Sequence, residues 1–444
     1  MMSGASWTDW LFLGLLFGGA VWLGCSVRNP SVRRSLHDLL HHQLALGSGL
    51  VLLFFFGIAI LDCVHVGQGM QQRTVLDNLL APMNKVDERT FSAPLSLVAY
   101  VTEPQLIGEQ YVIRYPTLRY PAHTLHTLQE RNAFVFKQSL WALLSGTLMA
   151  LLVWLVGTGY ARLGYQQSIQ VVNPAYRAAW LTVGILVFFI VWAYGVSRVL
   201  HVFGTGKIGQ DIFYYSVKSI RTGLVIGMLT TFFTLPFALF LGVAAGYFGG
   251  WIDDVIQYLY TTLSSIPGVL LITASVLSMQ TFIANHADLF PTLGQQADAR
   301  LLSLCFILGV TSWTSLCRLL RAEAMHLKHI DYVLAARVLG CSSLHILRKH
   351  LLPNVTHIVM ITLVLDFSYL ILAEAVLTYV GVGVSPMTMS WGNMINSARL
   401  ELAREPIVWW PVLAAFMMMF TLVLASNIFA DAVETAWNPK TNEG

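Results

Sequence analysis

Long apolar runs alternate with short polar connections along this chain. Nine runs approach the roughly 20 mostly apolar residues that a membrane-spanning helix needs. They are Leu11–Cys25, Leu46–Cys63, Leu140–Val156, Ala178–Val196, Gly223–Tyr247, Ile256–Leu277, Leu301–Leu316, Ile358–Val380 and Ile407–Ala430. The first and seventh are the shortest. No stretch alternates as a lipid-facing strand does, so the pattern predicts an all-α polytopic membrane protein, not a barrel.

Composition agrees. Of 444 residues, 56% are hydrophobic and 11% charged, with a mean hydropathy of +0.64. Soluble chains carry about twice that charged fraction. The net charge of +3 is too small to suggest a nucleic-acid partner. The five cysteines, Cys25, Cys63, Cys305, Cys317 and Cys341, are odd in number and scattered, so they suggest neither a disulfide framework nor a metal site. The N-terminal run lacks a basic n-region and a cleavage site and reads as a retained helix.

Lys and Arg in short connections set the orientation. Arg28, Arg33 and Arg34 follow the first run, and Arg162 and Arg177 follow the third. Arg318, Arg321, Lys328, Arg337, Arg348 and Lys349 follow the seventh. Placing these three connections in the cytoplasm puts the N-terminus outside, the C-terminus inside and the long segment Val64–Phe136 outside.

The stretch from Tyr332 to Asn354 is the least membrane-like part of the second half. Asp331 can cap a helix, and Tyr332, Ala335, Ala336 and Leu339 follow at helical spacing. Gly340 suits a left-handed turn. Ser342 can cap a second helix carrying Leu344, Leu347 and Leu351, which Pro353 is expected to end. The reading is a cytoplasmic helix–turn–helix with small alanines on an exposed apolar face. Such a hairpin either docks a partner or lies on lipid.

This stretch resembles the signature loop of binding-protein-dependent ABC importer permeases: Glu-Ala-Ala, a glycine four residues on, and a Leu-Pro near the end. The match runs through Ala335, Ala336, Gly340, Ile346, Leu352 and Pro353, with Leu334 in place of the glutamate. "GTGKIGQD" (Gly204–Asp211) is similar to an outer-side segment of the dipeptide, oligopeptide and nickel branch, carried by Gly204, Thr205, Gly209 and Asp211; Gly206 and Gln210 depart from it. "GYFGGWID", "EAVLTYVGVG", "SWGNMI" and "NIFADAVETAWNPK" follow in the order of that branch. The likeness covers roughly Ala178–Lys440.

The resemblance implies a six-helix permease core over 178–440 with a coupling loop at 318–354. Before it come two helices (1–63), an external insert (64–137), and a third helix with its cytoplasmic loop (138–177). It implies a chain that catalyses no chemistry and binds no cofactor, with ATP and magnesium on partner subunits. The implied partners are a second permease, in a heterodimer, two ABC ATPases, an external solute-binding protein and the lipid of a bacterial inner membrane. Peptides or similar small solutes would cross. An ion-coupled secondary transporter or channel, and a membrane scaffold that transports nothing, are the competing readings.

Other polar positions are weighed on their own chemistry. Asp366 and Glu374 fall in the eighth run, where charge is costly. Glu374 is expected to bond structurally, whereas Asp366 either does the same, lines the path or meets the second permease. Gly223, Gly227, Gly242 and Gly246 permit close helix crossings, and Pro236 and Pro267 can kink their runs. His37, His41 and His42, and His123 with His126, have helical spacing, but each group lacks a convincing third ligand and reads as solvated or interfacial histidine. Lys207 sits in no phosphate loop. Asn354-Val-Thr is a formal glycosylation triplet on the cytoplasmic side. Within the insert, "LSLVAYV" and "EQYVIRYP" read as strands. The insert packs on the outer mouth, touches the binding protein or decorates the surface.

Overall fold

The computed structural model describes residues 6–26, 28, 30–66, 73–83, 88–107, 110–120, 124–162, 174–286 and 288–437. His123, Glu109 and the end of the closing motif at 438–440 lie outside them.

In chain order the first helices are α1 (Trp7–Ser26), α2 (Pro30–His41), α3 (Gln43–Cys63), α4 (Val75–Leu79), α5 (Leu128–Arg162) and α6 (Pro174–Ser197). Then come α7 (Ile212–Phe248), α8 (Gly250–Ser265), α9 (Gly268–Asn285), α10 (Leu293–Leu327) and α11 (Asp331–Val338). The last are α12 (Ser343–Ile346), α13 (Leu352–Val380), α14 (Trp391–Ala398) and α15 (Trp410–Trp437). Among the described residues nine of these, α1, α3, α5, α6, α7, α9, α10, α13 and α15, are long and apolar enough to cross a membrane. The protein is an all-α polytopic membrane protein. Its described sheet is two small antiparallel ladders, β1 (His65–Val66) with β2 (Arg73–Thr74), and β3 (Glu103–Ile107) with β4 (Gln110–Arg114).

Two expected elements are placed differently. The sixth span is Gly268–Asn285, not Ile256–Leu277. Ile266 is extended (φ −84, ψ 131) because the proline that follows disfavours helical geometry, so the apolar run divides into amphipathic α8 and spanning α9. "LSLVAYV" forms only isolated bridges, Ala99 to Ser92 and Val98 to Thr117. The Ser96 hydroxyl donates to the Val98 carbonyl and accepts from the Val98 N–H, a local turn that competes with a ladder. The strand lies instead at Glu103–Ile107, while "EQYVIRYP" does supply β4.

The chain forms two compact units. One comprises Leu36–Thr222 and Met389–Ile428. In it α6 packs on α3 and α5, and its crossing with α5 is close because Gly146 and Gly184 face each other. Connections after the second, fourth and eighth spans bond to one another here. The Thr205 hydroxyl donates to the Thr90 carbonyl (2.8 Å), and Tyr100 donates to the Ile407 carbonyl (3.2 Å). These three connections therefore share one surface.

The other unit comprises Ser6–Ser35, Gly223–Thr388 and the segment from Phe429. Asp298 of α10 accepts from the Trp7 N–H (2.7 Å) and the Thr8 hydroxyl, fixing the start of α1. Gly242 and Gly246 lie flat on α10: a Cβ on Gly242 would stand 2.7 Å from the Cys317 carbonyl oxygen, and one on Gly246 2.6 Å from the Ala324 Cβ. This small-residue pair therefore serves packing within the chain. Pro236 sits inside α7 without ending it.

Candidate functional site

The hairpin between α10 and α13 is built from local signals. Ile330, extended and without a side-chain bond, occupies the cap position of α11, and Asp331 is its first residue instead of its cap. At the other end Gly340 takes φ +78. Its N–H bonds to the Arg337 carbonyl (3.0 Å) and that of Cys341 to the Ala336 carbonyl (3.1 Å), the paired closure of a left-handed helix end. Nothing stands within 4 Å of where a Gly340 Cβ would be, so conformation and not crowding calls for glycine. Ser342 caps α12, accepting from the His345 N–H at 3.4 Å.

The second arm does not end at Pro353. It passes through a π turn at Leu347–Leu351 directly into α13, with Pro353 in the first turn of that helix. Proline has no N–H and its ring crowds the carbonyl four residues back. A widened turn just before it accommodates both.

Burial divides the expected apolar face. Val333, Ala336, Ile346 and Leu351 point inward and join a core with Leu320, Ala324 and Leu327 of α10 and Tyr247 of α7. Ala336 is thus not on the exposed surface; the buried stripe of α11 is centred on Val333 and Ala336, leaving Tyr332 and Ala335 outside. Leu352 is half-buried and Pro353 exposed. At the tip, around Gly340, Val338 is 87% exposed, Leu339 82% and Leu344 75%. Large apolar side chains in that state mark a surface that another apolar surface covers.

Polar bonds hold the hairpin base. Arg321 makes a two-pronged bond to Asp253 of α8, Nε to Oδ1 at 2.5 Å and Nη2 to Oδ2 at 2.7 Å. This guanidinium keeps the Asp253 carboxyl below its usual range. Arg337 lies over the Tyr247 ring at 5.6 Å and Arg318 over Tyr260 at 5.2 Å. Asn354 donates to the Tyr332 hydroxyl at 2.8 Å, tying α11 to α13.

The outer-side motif belongs to a different cluster. Gly204 (φ +71) and Gly209 (φ +79) bend the backbone, and Thr205 is held by Thr90, Ser92 and the Trp410 indole N–H, which donates to its carbonyl at 3.0 Å. Asp211 caps α7, accepting from the Tyr214 N–H (2.9 Å), and its other oxygen lies 2.6 Å from His201 Nδ1. His201 Nε2 stands 3.7 Å from Glu88 of the insert. Burial alone would lower the His201 pKa, but the two carboxylates, Asp211 first, raise it to about 9. Burial also works to raise Glu88; the adjacent His201 and the Arg119 and Tyr120 N–H donors outweigh it and hold the carboxyl low. Nearby, Lys218 lies 2.5 Å from Asp77 and 3.7 Å from Asp62. Lys218 and Tyr214 bonds override burial and keep Asp77 below its ordinary value.

Sequence reasoning missed Glu88, His201, Asp62, Asp77 and Lys218. Asp62 and Lys218 carried a signal: each is a charge at the end of an apolar run, where a partner is required. On α13, Glu374 is buried and accepts from the Thr378 hydroxyl at 2.8 Å, whereas Asp366 is half-buried.

Residues 238–438 match the profile of the family described as binding-protein-dependent transport system inner membrane component. This part of the chain is similar to that family. The match takes in the last third of α7, α8 to α15 and the whole hairpin. A dipeptide transport system permease of Lactococcus lactis is 29% identical over 243 residues, 55% of this chain and 65% of the relative. A glutathione transport system permease of Pectobacterium atrosepticum is 28% identical over 241 residues, 54% of this chain and 73% of its own length. An oligopeptide transport system permease of Mycobacterium tuberculosis is 26% identical over 239 residues, covering 54% and 76%. The chain thus spans just under two thirds of the first of these relatives.

Proposed function

We propose that this chain is a permease subunit of an ATP-driven importer in a bacterial inner membrane, passing peptides or similar small solutes. The observation that carries it is the hairpin tip. An inner face anchored by Val333, Ala336, Ile346 and Leu351 presents Val338, Leu339 and Leu344 as a rigid apolar surface, inside a family of transport components. An apolar knob of this kind fits a groove on an ATPase subunit. ATP with magnesium bound to two such subunits would then switch the path between outward and inward access through differential binding of the two states. A second permease and an external solute-binding protein complete the assembly. In this reading 178–440 is the permease core, 318–354 the coupling loop, and the N-terminus, insert and Gly204–Asp211 motif lie outside.

The test is Gly340→Leu in reconstituted vesicles. Positive φ costs a non-glycine residue roughly 1–2 kcal/mol, and the new side chain stands at the tip. Insertion should be normal while solute-stimulated ATP hydrolysis and uptake are lost. Lys349→Gln, at an exposed charge, should change little. Normal uptake by Gly340→Leu would remove the hairpin from the coupling role. Uptake that follows an ion gradient instead of ATP would mark a secondary transporter.

A further inference from the structure

We propose that Asp366 and Tyr369 form a recognition site for an ammonium group on the transported solute. The inference rests on the permease reading above and adds the charge of the substrate end that α13 meets.

Leu365, Tyr369, Leu372 and Val376 make an exposed stripe along α13 at helical spacing. Most of it is apolar, and two polar residues break it. Tyr369 is 65% exposed and lies eleven residues from each end of the span Ile358–Val380. Tyrosines normally sit at headgroup level, not at mid-membrane. Asp366, one turn earlier, borders the same stripe and is half-buried. Among the described residues neither side chain has a hydrogen bond or ion pair.

The other acid of this helix shows the contrast. Glu374 is buried and bonded, as a structural carboxylate in a membrane must be. Asp366 has no such partner within the described chain, and facing hydrocarbon would be costly, so its face meets water, a partner subunit or an external positive charge. Neighbours at i and i+3 project together. A carboxylate beside an aromatic ring offers an ammonium group both an ion pair and the ring face. The register is fixed from the opposite side, where the Phe367 ring fills the space left by Gly227.

The assembled transporter tests this with two probes, Ala-Ala and N-acetyl-Ala-Ala. Wild type should take up the free amine faster by about tenfold, the equivalent of one charge-assisted bond. Asp366→Asn should bring the two rates close together, and Asp366→Glu should keep the preference. Equal rates in wild type, or an unchanged preference in Asp366→Asn, overturn the assignment. So does failure of Asp366→Asn to co-purify with its partner subunits, which would make the residue an interface contact. A second readout does not need transport: Asp366→Cys should react with a water-soluble maleimide above the wild-type background, and no reaction overturns the proposal. Absence of ATP-driven uptake of either probe by wild type would refute the peptide reading itself, a result distinct from uptake without preference.

Discussion

Gly209 lies against the Glu88 backbone so closely that no side chain fits between them. The Glu88 N–H also donates to the Gly209 carbonyl at 3.3 Å. A residue of the outer motif and a residue of the insert are therefore one packed surface, and the insert is an integral part of its unit instead of a decoration.

Gly209→Ala should loosen that surface. The left-handed φ alone costs roughly 1–2 kcal/mol, and the methyl group would overlap the Glu88 carbonyl. We expect a lower melting temperature in detergent and faster tryptic cleavage at Arg89 and Arg119. An unchanged melt with an unchanged digest would show that the backbone yields freely here.

Lys218→Met should be the more damaging change. It leaves Asp62 and Asp77 facing each other with Arg221 as the remaining cation near Asp62, and breaking a buried pair on one side costs up to roughly 3–5 kcal/mol. Asp77→Asn should cost less, because Asp62 stays within 3.7 Å of the lysine. Thermal unfolding of the two variants compares them directly; equal losses would show that the attachment to Asp62 contributes nothing.

The contact of His201 with Asp211 and Glu88 should weaken in alkali. The His201 pKa is raised from 6.5 to about 9 in the fold. Its contribution is fully present below 6.5 and is lost as pH rises through about 9, an effect on the order of 3 kcal/mol. Glu88, with a lowered pKa, acts oppositely: its contribution is present above its ordinary 4.5 and fades in acid. Melting temperature measured from pH 5 to 10 should fall across the alkaline half, and His201→Gln should flatten that limb. A wild-type curve that is flat to pH 10 counts against a charged imidazole.

What could be read from the sequence was local. The left-handed turn at Gly340 and the Ser342 cap depend on residues within a few positions of each other, so their chemistry is visible in the chain itself. The sixth span was misplaced because an apolar window slides across Pro267, while the backbone does not. Pro353 looked like a terminus because the widened turn before it has no sequence signature as plain as the proline. Glu88 with His201, and Asp77 with Lys218, pair across more than a hundred residues, and no pattern in one sequence joins them. The rule that a charge at the end of an apolar run needs a partner points to Asp62 and Lys218 without naming the match.

The passage of the hairpin into α13 has a mechanical consequence. From Ser343 through the π turn to Val380 the backbone is one unbroken helical column, ended only by Gly381 at φ +92. Leu344, near one end of this column, and Asp366, inside it, are therefore about 33 Å apart along it, at roughly 1.5 Å for each residue. If the hairpin tip is the docking element, a stroke delivered at Leu344 would reach Asp366 along this column as a tilt or a twist, with its phase set by the widened turn at Leu347–Leu351.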